Sequence, residues 1–167
     1  MRSNKKLLVA VVLIAAACSR SGSSPQVGSV APDFRAEDLT GRTVFLNAEL
    51  ERPVVLTFFA TWCSPCHEEV SRFIELHDRL GGSATILCVV VDPENKDEVR
   101  SLASGVQIPY PMLMDEGQKI KSSYGVWGLP ATFVVGTDGR IISRFTYVGE
   151  DEARALVETI ERIVGKR

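Results

Sequence analysis

The sequence lacks a strong net charge, an internal repeat and any long low-complexity run. Its 19 Lys and Arg residues nearly balance its 21 Asp and Glu residues, and it has no basic stripe of the kind that marks nucleic-acid-binding proteins. We therefore expect no nucleic-acid partner. The chain of 167 residues is long enough for one domain with a hydrophobic core and too short for two such domains.

The sequence also lacks an apolar run long enough to cross a membrane. The apolar run at residues 7–17 has eleven residues, whereas a membrane-spanning helix needs roughly 20. This run follows the positively charged residues Arg2, Lys5 and Lys6, an order that is typical of a secretory signal peptide. We interpret residues 1–18 as such a signal.

Cys18 ends this segment. A cysteine after small residues and an apolar run resembles the bacterial lipoprotein signal, in which the cysteine becomes the lipidated first residue of the mature protein. Ala15 stands where that signal usually has Leu, so an ordinary cleaved signal and an uncleaved anchor remain alternatives. Each alternative places the protein outside the cytoplasm, where disulfides are common. Residues 19–27 then form a flexible linker, and residues 28–167 form the domain.

Cysteine is scarce, and two of the four cysteines lie together in the segment TWCSPCH, residues 61–67. The spacing of Cys63 and Cys66 is that of a redox dithiol, and with the following His67 it is also that of a c-type haem attachment site. Soft thiolates could instead hold copper(I). Cys88 lies in an apolar run and is expected to be a small buried residue.

The hydrophobic pattern predicts an α/β fold with a mixed central sheet, helices on both faces and an N-terminal β-hairpin extension. The apolar run at residues 53–60 indicates a strand buried on both faces. A helix begins at about Pro65 and ends at Gly81, and its apolar face consists of Val70, Phe73, Ile74, His77 and Leu80. The pattern also predicts strands at 84–91, 111–114, 131–136 and 140–148, helices at 94–104, 118–124 and 151–164, and a turn at 38–41 between two extended pieces.

Two segments carry a family resemblance. FFATWCSPC, after a buried strand and before a helix, resembles the active-site segment of the thioredoxin superfamily, and GLPATF, residues 128–133, resembles its cis-proline loop. The segments VGSVAPDF, LTGRTVFL and CHEE are similar to the TlpA/ResA-like, AhpC/TSA-redoxin branch. Its members are membrane-tethered, extracytoplasmic thiol–disulfide oxidoreductases. The resemblance spans roughly residues 27–164 and implies a thioredoxin-like fold.

The position of the cysteine pair at a helix start predicts a different role for each sulfur. Backbone N–H groups at a helix N-terminus stabilise a thiolate, so we expect the pKa of Cys63 to lie below the free value of about 8.5. Cys63 would attack a disulfide, and Cys66 would then resolve the mixed disulfide. Glu69, one helical turn after Cys66, matches a family residue with a role in acid–base chemistry.

The resemblance also implies how a substrate binds. Pro130 would follow a cis peptide bond, and the backbone of Leu129 would pair with the extended chain of the substrate. We expect Trp62, Ser64 and Pro65 to contact the substrate as well.

The function implied is reduction of disulfides in extracytoplasmic proteins, of which apocytochrome c is the best-known substrate class. A membrane dithiol electron donor would recharge the protein, and no cofactor or metal is required. A copper(I) chaperone and a c-type cytochrome remain the alternatives.

Overall fold

The computed structural model describes residues 24–165. The predicted signal segment, Cys18 and most of the linker therefore lie outside the described residues. The elements in chain order are β1 Arg35–Asp38, β2 Thr43–Phe45, α1 Leu46–Glu49, β3 Val54–Phe59, α2 Ser64–Leu80, β4 Thr85–Val90, α3 Lys96–Gly105, β5 Met112–Met114, α4 Lys119–Ser123, β6 Ala131–Val135, β7 Ile141–Phe145 and α5 Glu150–Val164. Short 3-10 turns at Pro93–Asn95 and Glu116–Gln118 precede α3 and α4.

Seven strands form one mixed sheet in the order β2-β1-β5-β4-β3-β6-β7. The strand β3 lies near its centre, parallel to β4 and antiparallel to β6. All six residues of β3 are buried, which confirms the prediction made from the continuous apolar run. The predicted late hairpin is formed by β6 and β7, and Gly139 takes a positive φ of 74° in its turn.

The N-terminal hairpin of β1 and β2 extends the sheet at one edge, where β1 pairs with β5. Its turn is held by Asp38, whose Oδ1 accepts hydrogen bonds from the backbone N–H of Thr40 and of Arg42 at 2.8 and 3.0 Å. These local bonds explain why the turn could be predicted from the sequence around residues 38–41.

Helices cover both faces of the sheet, as predicted. On one face, α2 and α5 are in contact, and Glu69 of α2 lines a small cavity together with Thr57 of β3. On the other face, Tyr124, which follows α4, packs its ring at an angle against the rings of Phe58 and Phe133, at centroid distances of 5.7 and 5.1 Å.

The apolar face of α2 differs from the predicted one at a single position. The position of His77 on this face indicates a packed, hydrogen-bonded histidine; its Nδ1 does lie 3.5 Å from Oδ1 of Asp78, but its side chain is 41% exposed, so the expected packing was wrong. Leu76 is buried in its place, together with Phe73 and Leu80. The helix ends as predicted, with Gly81 in the left-handed conformation. No helix within residues 24–165 has the length and apolarity needed to cross a membrane.

Candidate active site

The cysteine pair and the predicted cis-proline lie at the same end of the sheet. Phe58 of β3 pairs with Ala131 of the antiparallel strand β6. The chain leaves β3 just before Cys63, and it enters β6 just after Pro130. The Leu129–Pro130 peptide bond is cis, as the resemblance predicts.

Cys63 and Cys66 are joined by a disulfide, so the structure is that of the oxidised protein. Cys63 is the N-cap residue of α2, and its Sγ accepts a hydrogen bond from the backbone N–H of Cys66 at 3.2 Å. Its carbonyl also accepts bonds from the N–H groups of Cys66 and His67. The sulfur of Cys63 therefore lies where the unpaired N–H groups of a helix start stabilise negative charge. Pro65 occupies the first turn of α2, where its missing N–H costs nothing.

Exposed side chains flank the cysteines along the chain, although the two cysteines themselves are only 4% and 3% exposed. Trp62 is 68% exposed and Trp127 is 89% exposed, which is unusual for large apolar rings. Ser64 and Pro65 are also exposed, and Leu129 is half-buried. All four predicted substrate-binding residues are thus accessible at or near the disulfide.

Glu69 is buried directly below the cysteine pair on α2. Its carboxylate accepts a short hydrogen bond from the backbone N–H of Val148. Burial raises the pKa of Glu69 from 4.5 to about 7, and the Val148 bond and the positive charge of Arg72 oppose this rise. A carboxyl with this pKa can take up and release a proton near neutral pH.

Arg72 holds the segment that covers Glu69. Its Nη1 donates to the carbonyl of Val148 at 3.1 Å and to the hydroxyl of Tyr147 at 3.3 Å. The same residue of this segment, Val148, donates its N–H to Glu69. The backbone C=O of Val148 is therefore held by Arg72, and its backbone N–H is held by Glu69.

Glu69 and Cys66 line the same cavity of about 10 Å³. Such a volume is about that required for one water molecule. Its lining includes Cys66, Glu69, Thr57, Cys88 and Tyr110. Burial raises the pKa of the Cys88 thiol and of the Tyr110 hydroxyl, so both stay neutral. Cys88 is free and 3% exposed, as predicted.

Sequence reasoning missed a second polar cluster, which lies before the cysteine pair. Thr61 donates its N–H and its hydroxyl to Oδ2 of Asp92 at 2.9 and 2.6 Å. Its carbonyl accepts a bond from Nε2 of His67 at 2.7 Å. The available signal was Asp92, an acidic residue that follows a buried strand. Because β3 and β4 are parallel, their carboxyl ends meet at one edge of the sheet, and the residues that follow them lie close together.

Within residues 24–165, no group of three or more His, Cys, Asp or Glu side chains is arranged to hold a metal ion. The two sulfurs that would serve a copper site or a haem are bonded to each other.

Known proteins are similar to this chain in sequence. The AhpC/TSA family model matches residues 27–144. The thiol–disulfide oxidoreductase ResA of Geobacillus kaustophilus is 32% identical over 132 residues, 78% of this chain and 76% of that protein. The ResA protein of Bacillus cereus strain ZK is 26% identical over 98% of this chain and 99% of its own length.

A solved structure extends the likeness to three dimensions. It is that of a protein from Chlorobium tepidum described as a DsbE-type thiol:disulfide interchange protein. It covers 85% of this chain and 100% of its own, with a TM-score of 0.74 and 26% identity. The match confirms the thioredoxin-like fold. The chain therefore belongs to the AhpC/TSA family, and it is a thiol–disulfide oxidoreductase of that family.

Proposed function

We propose that the protein reduces disulfides in other extracytoplasmic proteins with the dithiol of Cys63 and Cys66. The observation that carries this proposal is the disulfide at the start of α2, at the same end of the sheet as the cis Leu129–Pro130 bond. A dithiol that closes into a disulfide releases two electrons, and a substrate disulfide that accepts them becomes two thiols.

The first step is attack by Cys63. In the reduced protein its thiolate is stabilised by the N–H groups at the start of α2. It attacks one sulfur of the substrate disulfide, forms a mixed disulfide and releases the other substrate sulfur as a thiolate, which takes a proton from solvent. The exposed residues around Cys63 leave room for this approach.

The second step is resolution by Cys66. Its sulfur lies on the buried side of α2, next to the cavity that it shares with Glu69. Glu69 takes the proton from the Cys66 thiol, directly or through one water, because its pKa of about 7 suits proton transfer at neutral pH. The Cys66 thiolate then attacks Cys63, which closes the protein disulfide and releases the second substrate thiolate.

Substrate recognition uses the backbone. The residue before the cis-proline offers its backbone N–H and C=O to an extended substrate segment, which can pair with them as an added strand. We assign this role to Leu129, with Pro130 fixing its direction. Trp62 and Pro65 supply apolar contacts beside the disulfide, and Ser64 supplies a polar one.

The cellular setting is part of the proposal. Lipidation of Cys18 would hold the domain at a membrane by a linker of a few residues. Apocytochrome c, with its paired cysteines, is the substrate class proposed. The oxidised protein must be reduced again after each turnover, and a membrane protein with its own dithiol is the donor that a tethered domain can reach.

The test is a redox titration of the purified full-length chain in glutathione buffers of graded potential. Trapping of free thiols followed by mass measurement reports the state of Cys63 and Cys66. We expect a two-electron couple near or below the value of thioredoxin, about −270 mV. The variant Cys88→Ala is the control for the third thiol of the domain, and a two-electron couple that persists in this variant does not involve Cys88.

A midpoint near −120 mV, the value of a strong oxidant, would show that the protein makes disulfides instead. A dithiol that does not titrate would overturn the oxidoreductase function itself. Copper bound after purification or a haem absorption band would then identify which alternative is correct.

A further inference from the structure

The cluster around Asp92 has no part in the two proposed steps, yet it holds the residue that leads into the dithiol. Asp92 follows β4 and is 3% exposed. Its Oδ2 accepts three hydrogen bonds, from the N–H and hydroxyl of Thr61 and from Nδ2 of Asn95. Asn95 also donates to the hydroxyl of Thr61 at 3.0 Å. One carboxylate oxygen thus organises the whole cluster.

Thr61 is held from both sides. Asp92 accepts from its N–H, and the imidazole of His67 donates to its carbonyl at 2.7 Å. The His67 ring is itself placed by an edge contact with the ring of Phe59, 5.1 Å away. The next turn is closed by the N–H of Cys63, which donates to the carbonyl of Ala60 at 3.1 Å. The position of Cys63 therefore depends on how Thr61 is held.

The second carboxylate oxygen of Asp92 indicates that this residue does more than hold Thr61 in place. Oδ1 is buried and has no hydrogen-bond partner within the described residues. A buried carboxylate oxygen without a donor is costly, and native proteins seldom retain one without a function. An asparagine could accept the same bonds through its single oxygen, so these bonds do not by themselves require an acid. What the carboxylate adds at this position is a negative charge.

We propose that the Asp92 carboxylate acts on the dithiol as a buried negative charge that keeps it reducing. A negative charge near Cys63 opposes formation of its thiolate, and this opposition destabilises the reduced form relative to the disulfide. Asp92 is thus a positioning residue, acting through Thr61 and through its field. This inference rests on the proposed function, because it assigns a control to the same dithiol.

The size of the effect follows from the separation. Thr61 is two residues before Cys63, so the carboxylate and the Cys63 sulfur are on the order of 10 Å apart. At an effective dielectric constant of about 20, two charges at this distance change an equilibrium roughly tenfold. For a two-electron couple a tenfold change corresponds to about 30 mV. His67 also contacts Thr61, through the hydrogen bond from its Nε2 to the Thr61 carbonyl.

The test compares the full-length wild type with Asp92→Asn. We expect the variant to hold Thr61 as before, to raise the midpoint potential by about 30 mV and to lower the pKa of Cys63, read from the pH dependence of its alkylation rate. Asp115→Asn is the matched control. Asp115 is equally buried and accepts bonds from the N–H groups of Ile120 and Lys121, but it follows β5, one strand further from the dithiol.

Two further variants separate charge from position. Thr61→Val removes the hydroxyl but keeps the charge, so its potential should change by less than that of Asp92→Asn. Asn95→Lys places a positive charge beside the intact Asp92 and should raise the potential, even if Asp92→Asn fails to fold.

The inference is overturned if Asp92→Asn and Asn95→Lys both exchange disulfides at the wild-type potential, or if Thr61→Val or Asp115→Asn shifts it as far as Asp92→Asn does. Failure of the proposed function is distinguishable, because the wild type itself would then not titrate as a reducing couple.

Discussion

Thr57 and Phe58 are neighbours on β3, and they face opposite sides of the same sheet. Phe58 points into an aromatic cluster with Phe133 and Tyr124, in which three rings pack within 6.0 Å of one another by centroid distance. Thr57 points towards α2, where its hydroxyl accepts a hydrogen bond from Thr132 and its side chain lines the cavity beside Glu69. One face is apolar, and the other buries hydroxyl, thiol and carboxyl groups.

The difference indicates that the two faces of the sheet have different roles, one in stability and the other also in catalysis. The aromatic face contributes burial and packing, and the polar group of its three rings, the Tyr124 hydroxyl, donates to the carbonyl of Pro32 at 2.9 Å. The polar face carries groups whose burial is unfavourable for stability, above all Glu69, and it is the face that leads to the sulfur of Cys66. Substitutions on the first face should therefore change stability alone, whereas substitution of the ionisable Glu69 on the second should also change the chemistry.

The largest effect on stability is expected on the aromatic face. Phe58→Ala removes a fully buried ring and should lower the free energy of unfolding by about 3–5 kcal/mol, measured by denaturant titration of the oxidised protein. The dithiol potential should stay at the wild-type value. Phe58→Leu is the matched control and should lose less, because it leaves a smaller cavity. A shift in potential for either variant would contradict the proposed division.

The next largest effect is a pH dependence of the free energy of unfolding, which comes from Glu69 on the polar face. In the folded protein the pKa of Glu69 is raised from 4.5 to about 7, so the folded state favours the protonated carboxyl. The resulting stabilisation is fully present below about pH 4.5 and is lost as the pH rises through 7. With about 1.4 kcal/mol for each pKa unit, the loss is about 3 kcal/mol.

The variant Glu69→Gln cannot titrate and isolates this contribution. The free energy of unfolding of the wild type minus that of the variant should fall by about 3 kcal/mol between pH 4 and pH 8. The same variant should resolve mixed disulfides more slowly near neutral pH, because Cys66 loses its proton acceptor. Glu68→Gln is the control, since Glu68 is exposed and should show neither effect. A constant difference across this pH range would mean that Glu69 has an ordinary pKa.

The aromatic face was more accessible to sequence reasoning than the polar face. The apolar run of β3 and the helical spacing in α2 are local patterns, and they predicted the strand, the helix and the position of Cys63. The hydrogen bonds from Thr61 to Asp92 and from Val148 to Glu69 join residues 31 and 79 positions apart. No periodicity encodes such pairs, so the polar clusters emerged only in three dimensions.

The error at His77 has a similar origin. Leu76 and His77 are adjacent on α2, and each lies three or four residues from Phe73 or Leu80. Helical spacing therefore admits both at the edge of an apolar face. The packing of the sheet buries Leu76, and His77 stays beside Asp78.

The smallest effect concerns the hydroxyl pair of the polar face. Thr132 donates to Thr57 at 3.0 Å, and both side chains are buried between β3 and β6. Thr57→Val leaves the Thr132 hydroxyl without this acceptor and should lower the free energy of unfolding by about 1–3 kcal/mol. Thr57→Val combined with Thr132→Val removes both hydroxyls and should restore stability to nearly the wild-type value, because no buried donor is left unpaired.

A double-mutant cycle at these two threonines therefore measures whether burying polar groups on this face lowers the free energy of unfolding in general, or only at Glu69. If the double variant is as stable as the wild type, a paired buried hydroxyl is close to neutral, and Glu69 is the group whose burial weakens the fold. If the two single losses simply add, the two hydroxyls contribute to stability independently of their mutual hydrogen bond, and the contrast with the aromatic face is smaller than proposed. The dithiol potential of all three variants should equal that of the wild type, because neither hydroxyl carries a charge.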